Sequence, residues 1–346
     1  MWQENELNLL FLFFFGTYLL ILFCKKFKLL IDNNNLPHKI FLNQYEKPPA
    51  VGGIIILTSI LLISQNYILK LFLLGLFLLG LFSDLLIIKK TSYRIFIQSI
   101  LILLYLIISN NVVNKVGFLM LDFFLKYNFF SIIFTFFCLL VLINGSNFID
   151  GVNNLLSGYY LLVLSLVIFI KTRYNLLIDF ELYFLLIISL FIFYIFNMFN
   201  KIFLGDSGSY LLSFIVGILL INLKNQNMDS ISVFFIILLL WYPAFENLFS
   251  IVRKISIKKK IYLADNLHIH HLLFSYLKNK SKIENKVILS SLTGNIINFY
   301  NFISFSIGIY FINLNINLIF LILFNICFYI ISYLYLFFRT TNLNKV

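Results

Sequence analysis

Acidic residues are scarce in this chain: 14 Asp and Glu stand against 26 Lys and Arg in 346 residues. Cysteine is scarcer still. Cys24, Cys138 and Cys327 each stand alone in or at the end of an apolar run. No spacing among them suits a disulfide framework or a thiolate metal site, so they read as soft packing residues. The N-terminus lacks the basic segment of a cleaved signal peptide. Glu4 and Glu6 precede its apolar run instead, and the run reads as a first membrane span. Ionisable groups are also rare in the middle of the long apolar runs, where an ion-coupled transporter or proton pump would place them. Apolar residues are what the chain has in abundance: 61% hydrophobic, with a mean hydropathy of +0.97. Soluble globular domains do not have this composition; it predicts an all-α integral membrane protein. The net charge of +12 would suggest nucleic acid in a soluble protein. Basic cytoplasmic loops explain it here, and no nucleic-acid partner is expected.

Eleven spans are predicted, at roughly 7–24, 51–69, 71–88, 93–109, 129–143, 155–170, 180–197, 208–223, 231–248, 290–312 and 316–338, in a single polytopic domain covering 1–346. The weakest boundaries, between spans two and three and at the start of span ten, leave the count at 10–11. A short helix around 112–125 is expected along the membrane surface. The loops on the side entered after span one hold 20 Lys and Arg, and those on the other side hold 6. The positive-inside rule then puts the N-terminus outside and the rich side in the cytoplasm. Asp84, Asp150, Asp206 and Asp265 fall on that side, as do His38, His268, His270 and His271. Two spans separate each successive pair of these aspartates, so each returns to the same face. The pattern is that of a one-sided reaction surface.

Four stretches carry chemistry. The first is Asn144-Gly145-Ser146-Asn147-Phe148-Ile149-Asp150-Gly151-Val152-Asn153-Asn154, between two apolar runs. On a helix, Asn144, Asn147 and Asp150 share a face at i+3 spacing and form a polar ledge. A loop of composition-favoured Asn is the plainer reading. The second is Phe203-Leu204-Gly205-Asp206-Ser207-Gly208-Ser209, where a carboxylate meets the free N–H groups of a helix start. That combination suits a phosphate and its metal ion, and equally an ordinary N-cap. The third is Ser83-Asp84 after span three, followed by Arg94 and Gln98. The fourth is the last cytoplasmic loop, with Arg253, Lys254, Lys258, Lys259 and Lys260 before Asp265-Asn266-Leu267-His268-Ile269-His270-His271. Zinc is a rival there, but oxygen ligands elsewhere and the lack of a nearby Cys favour Mg²⁺ or Mn²⁺. The histidines and lysines then serve as donors to phosphate oxygens. Lys47-Pro48-Pro49 makes a stiff basic entry to span two, or a simple membrane-flanking lysine.

Taken together and in this order, the motifs Lys47–Gly53, Ser83-Asp84, Asn144–Leu156, Phe203–Ser209 and Asp265–His271 resemble the polyprenyl-phosphate N-acetylhexosamine-1-phosphate transferases, the MraY/WecA superfamily. The His-Ile-His-His form is similar to the branch that starts O-antigen, enterobacterial-type or teichoic-acid glycans. The resemblance implies transfer of a sugar 1-phosphate from a UDP-N-acetyl amino sugar to undecaprenyl or another polyprenyl phosphate, with release of UMP, in a bacterial cytoplasmic membrane. It implies Mg²⁺, with Mn²⁺ as a substitute, held by Asp206 and Asp84. It implies catalytic roles for Asp150, His268, His270 and His271. Lys47, Asn144, Asn147, Asn153, Phe203 and Arg253 would contact substrate, with Phe203 stacking on uracil. Two departures stand out: Ser83 where the family pairs two aspartates, and Asn153-Asn154 where many members have Asp-Gly. Glu246 stands where this branch often has Asp. An inactive scaffold and a lipid-linked-sugar transporter are the competing readings. The oligomeric state is open, a homodimer included.

Overall fold

The computed structural model describes residues 2–31, 48–63, 65–228, 230–258, 266–281 and 283–343. Lys47, His38, Lys259, Lys260 and Asp265 lie outside the described residues. The described chain is helical, and its pairing outside helices is limited to isolated bridges. Its thirteen helices are α1 (Trp2–Phe27), α2 (Gly52–Ile63), α3 (Tyr67–Asp84), α4 (Thr91–Ser109), α5 (Leu119–Leu125), α6 (Asn128–Ile149), α7 (Leu155–Tyr174), α8 (Phe180–Met198), α9 (Gly205–Gln226), α10 (Val233–Ser256), α11 (Ile269–Lys280), α12 (Lys286–Tyr310) and α13 (Asn315–Leu343).

Each expected span has a helix, and nine helices among the described residues are long and apolar enough to cross a membrane. The exceptions are α2, with 12 residues, and α12. The reason for α12 is an internal polar stripe. Ser290, Ser291, Thr293, Asn298, Asn301 and Ser304 are all buried. Asn298 donates to the Asn154 carbonyl (2.8 Å), and Asn301 accepts from the Trp241 indole (2.9 Å). Polar side chains of this kind tie helices together where no water competes. Outward-facing positions are instead Phe, Leu and Ile, as on a surface solvated by lipid.

Some boundaries differ from expectation. The second span was expected to reach residue 69; α2 ends at Ile63 and α3 starts at Tyr67. Asn66 explains the break, because its side chain caps α3 by accepting from the Leu69 N–H (3.0 Å). Lys70, expected between spans, lies in the first turn of α3 and reaches back to the Leu61 carbonyl (2.8 Å). A short helix, α5, forms within the 112–125 stretch, and α11 forms inside the last loop, where no helix was expected.

Helix α9 is the centre of the bundle. It is apolar all round and buried along nearly its whole length, with α2, α3 and α6 against it. The closest approach is at Gly80 of α3, where a Cβ would lie 2.3 Å from the Ser207 Cα. Helix α10 carries Pro243, which cannot bond the carbonyl of Leu239 one turn earlier. The Tyr159 hydroxyl of α7 takes that carbonyl instead (2.8 Å).

Candidate active site

The site begins where α9 begins. Gly205 has φ +75°, a backbone conformation that suits glycine, and it turns the chain into the helix. Leu204 at the N-cap offers no side-chain oxygen, so the first N–H groups of α9 need a partner from elsewhere. Asp84, the last residue of α3, supplies it. Its Oδ1 accepts from the Asp206 N–H (2.8 Å), and its Oδ2 accepts from the Ser207 N–H (3.1 Å) and hydroxyl (2.9 Å). A carboxylate at the C-terminus of α3 opposes that helix's dipole by about 0.3–1 kcal/mol. Hydrogen bonds to a charged acceptor are worth about 1.5–3 kcal/mol each, so the cap prevails.

Asp206 faces a second set of donors. Its Oδ2 accepts from Arg94 Nη1 (2.6 Å) and Ser83 Oγ (2.5 Å), and its Oδ1 from Asn147 Nδ2 (2.8 Å). Arg94 also donates to Ser83 Oγ (2.6 Å), so the serine relays between guanidinium and carboxylate. The Asp206 and Arg94 side chains stay about a quarter exposed, at 25% and 22%. Helices α3, α4, α6 and α9 therefore meet at one carboxylate.

Helix α6 runs further than expected, to Ile149, and this puts Asn144 and Asn147 in its body with Asp150 as C-cap. Asn144 bonds Gln98 of α4 (3.2 Å) and the Leu140 carbonyl (2.8 Å). Asn153 is buried; its N–H reaches Ser290 Oγ (2.9 Å) and its amide reaches Asn200 (3.3 Å), a setting among α7, α8 and α12. Phe203 is half-buried and anchored through its backbone. Its N–H donates to the Pro49 carbonyl (2.9 Å), and its carbonyl accepts from Gly52 (3.1 Å).

The histidines gather on the other side of the α6 terminus. His268 lies 5.3 Å from the Phe148 ring, 5.6 Å from His270 and 6.0 Å from His271, centroid to centroid. His270 packs on Gly151, where a Cβ would come within 2.4 Å of its Nε2. Full burial, and secondarily the neighbouring His271 and His268, hold the His270 imidazole well below the usual histidine range. Both its nitrogens are buried with no hydrogen-bond partner among the described residues. His268 Nδ1 lies 2.8 Å from Glu246 Oε1 of α10. Arg253 ties α10 to this segment through the Leu267 carbonyl and to α13 through the Tyr333 hydroxyl (3.1 Å). Lys254 is buried with its ammonium 5.6 Å from the Phe148 ring centre.

Of the carboxylate oxygens here, Asp206 Oδ1 is the one with room for a hard cation, beside the Arg94 guanidinium that pairs with Oδ2. Mg²⁺ takes one or two carboxylates and completes its shell with water and substrate phosphates. Asp206 Oδ1 has a single described donor, Asn147, which leaves a lone pair. Asp84 spends both oxygens on α9, so it shapes the site more than it opens to it. Among the described residues, no three His, Cys, Asp or Glu side chains converge as a closed metal cage.

Arg94 and Glu246 are the residues whose site contacts the sequence did not reveal. Arg94 had one signal, as one of only four arginines in a lysine-rich chain. Glu246 had a weaker one, as an acid inside an apolar run.

Helical spans enclosing a polar centre at one end of the bundle define a membrane-embedded class of protein. Residues 67–224, from α3 through α9, match the sequence model of glycosyl transferase family 4. Ser83, Asp84, Arg94, Asn147 and Asp206 all lie in the matched segment. Over 135 residues the chain is 32% identical to a Bacillus subtilis (strain 168) protein named probable undecaprenyl-phosphate N-acetylglucosaminyl 1-phosphate transferase. The alignment spans 38% of this chain and 37% of that relative.

Proposed function

We propose that this protein transfers an N-acetylhexosamine 1-phosphate from a UDP-sugar to a polyprenyl phosphate. An oxygen of the lipid phosphate forms a bond to the sugar-bearing phosphorus of the UDP-sugar. The bond from that phosphorus to the bridging oxygen breaks, and the electron pair leaves with UMP. The observation that carries this reading is the convergence of Asp84, Ser83, Arg94 and Asn147 on Asp206 at a helix N-terminus within the family segment.

Two anions must meet for this reaction, so positioning and charge neutralisation dominate. The Arg94 guanidinium has the planar fork that suits phosphate, and it sits beside the carboxylate at the site. The N-terminus of α9 adds a field favourable to anions. Asn147 holds Asp206 in one rotamer. Mg²⁺, anchored by Asp206 with Asp84 behind it, would supply further neutralisation of the phosphates when bound. His268, His270 and His271 gather at the α6 end that carries Asn147, and the basic end of α10 would attract phosphorylated substrates.

The test is to mix the purified protein with undecaprenyl phosphate, Mg²⁺ and a panel of UDP-N-acetyl sugars. UDP-N-acetylglucosamine comes first, because the Bacillus relative is named for that sugar. UMP release with formation of a diphospho-lipid is expected, and EDTA should abolish it. No UMP with any donor would overturn the reading. Turnover that persists in EDTA would overturn the metal assignment alone.

A further inference from the structure

Glu246 is a buried acid that the reaction described above does not use. It sits in α10 one turn after Pro243, 1% exposed, at a depth where Leu or Phe would be the ordinary occupant. Burying a carboxylate costs several kcal/mol unless hydrogen bonds and an opposite charge offset it. Both of its oxygens are engaged. Oε1 meets His268 Nδ1 at 2.8 Å, and Oε2 accepts from the Tyr329 hydroxyl of α13 at 2.7 Å.

The pairing has a consequence for the imidazole. A carboxylate only accepts, so the His268 nitrogen facing it must carry the proton. This fixes the ring's tautomer and leaves Nε2 on the opposite edge. The ring plane is held as well, between Phe148 and the near-parallel His270 ring at 10°. Phe148 follows Asn147, which bonds Asp206, so His268 is set against the same helix end as the carboxylate centre.

We propose that Glu246 is a positioning residue: it locks His268 in the Nδ1–H form against the end of α6, and Tyr329 holds Glu246 in place. The assignment rests on the transferase reading. A carboxylate that orients an imidazole in this way commonly governs turnover strongly while never touching substrate.

The experiment compares wild type with Glu246→Gln, Glu246→Asp and Tyr329→Phe. UMP release, melting in detergent and ¹⁵N spectra of histidine-labelled protein are recorded for each, with His268→Gln to assign the resonance. Glu246→Gln keeps the size but loses the charge. It should melt close to wild type, lose about a hundredfold in kcat with a smaller change in KM, and show the His268 tautomer mixed or reversed. Glu246→Asp should recover most of the turnover, and Tyr329→Phe should lose the least. Wild-type kcat in Glu246→Gln overturns the role. So does a His268 whose Nδ1 carries no proton in the wild type. Equal losses of turnover and melting temperature in the Gln and Asp variants overturn it too, as packing alone. A wild type silent with every UDP-sugar overturns the transferase reading itself; normal wild-type turnover that ignores Glu246→Gln overturns this assignment alone.

Discussion

Ser83 stands where the resemblance leads one to expect a carboxylate, and its contacts show what a hydroxyl can do there. A third acid within hydrogen-bonding distance of Asp206 would add repulsion beside Asp84. Ser83 instead accepts from Arg94 and donates to Asp206. In the proposed reaction the lipid phosphate needs little help from a base, because the second pKa of a phosphate monoester is about 6. Ser83→Ala is therefore expected to lower UMP release modestly, since Arg94 still reaches Asp206 directly. Asp206→Asn removes the charge at constant volume and is expected to lose nearly all turnover with melting retained. Equal effects of the two substitutions would show that Asp206 carries no special role. His270 gives a pH prediction. Its folded-state pKa is depressed, so the unfolded chain binds more protons below the usual histidine value of about 6.5. Stability is fully present above that pH and falls as pH drops below it, by at most about 1.4 kcal/mol per pH unit from this group. Melting in detergent from pH 7 down to pH 5 should show a steeper decline for wild type than for His270→Phe. Parallel declines would assign the slope to other groups.

At the scale of the element, the helix that fixes the site is α9, and the contact that fixes α9 is its crossing with α3. Ser207 backbone atoms lie against Gly80, so any side chain there must push the two helices apart. Gly80→Ala is expected to destabilise the protein by about 1–3 kcal/mol, as overpacking does. It should also lower turnover, because Asp84 would draw away from the α9 N–H groups. A Gly80→Ala protein with unchanged melting and activity would show that this crossing adapts freely. The elements themselves were largely legible. Apolar runs gave eleven helices, though the span expected to end at residue 143 runs on through Asn144 and Asn147 to Ile149, with Asp150 at its end. Less legible was anything set by polar atoms inside the bundle. The side chain of Asn66 divides α2 from α3, though hydrophobicity runs on past it. The polar stripe of α12 lowers its hydropathy while serving as internal glue. Partners across the bundle, Arg94 with Asp206 and Glu246 with His268, lie 112 and 22 residues apart in the chain, and no local pattern announces them.

The whole molecule is arranged so that its chemistry lies at one end. Helix α9 has 22 residues, which at 1.5 Å each is about 33 Å. The hydrocarbon core of a bilayer is about 30 Å thick. Its first turn carries Asp206, and its far end carries Asn227, whose side chain accepts from the Leu177 N–H (2.9 Å) and donates to the Leu177 carbonyl (3.0 Å). Asp206 and Leu177 therefore mark opposite faces. Helix α10 returns from Ser232 to Ser256, which brings Lys258 back toward the end that holds Asp206 and His268. The charge bias of the loops leads us to expect that end in the cytoplasm, where UDP-sugars are made. Single cysteines in a background with Cys24, Cys138 and Cys327 replaced by serine test the orientation. Leu177→Cys, at a site 64% exposed, should react with an impermeant thiol reagent in intact cells. Lys258→Cys, at an exposed site, should react only after the membrane is opened. The reverse pattern would place Asp206 on the outer face, beyond reach of a cytoplasmic nucleotide sugar. It would end the transferase reading for the intact cell even if the purified protein could be made to turn over.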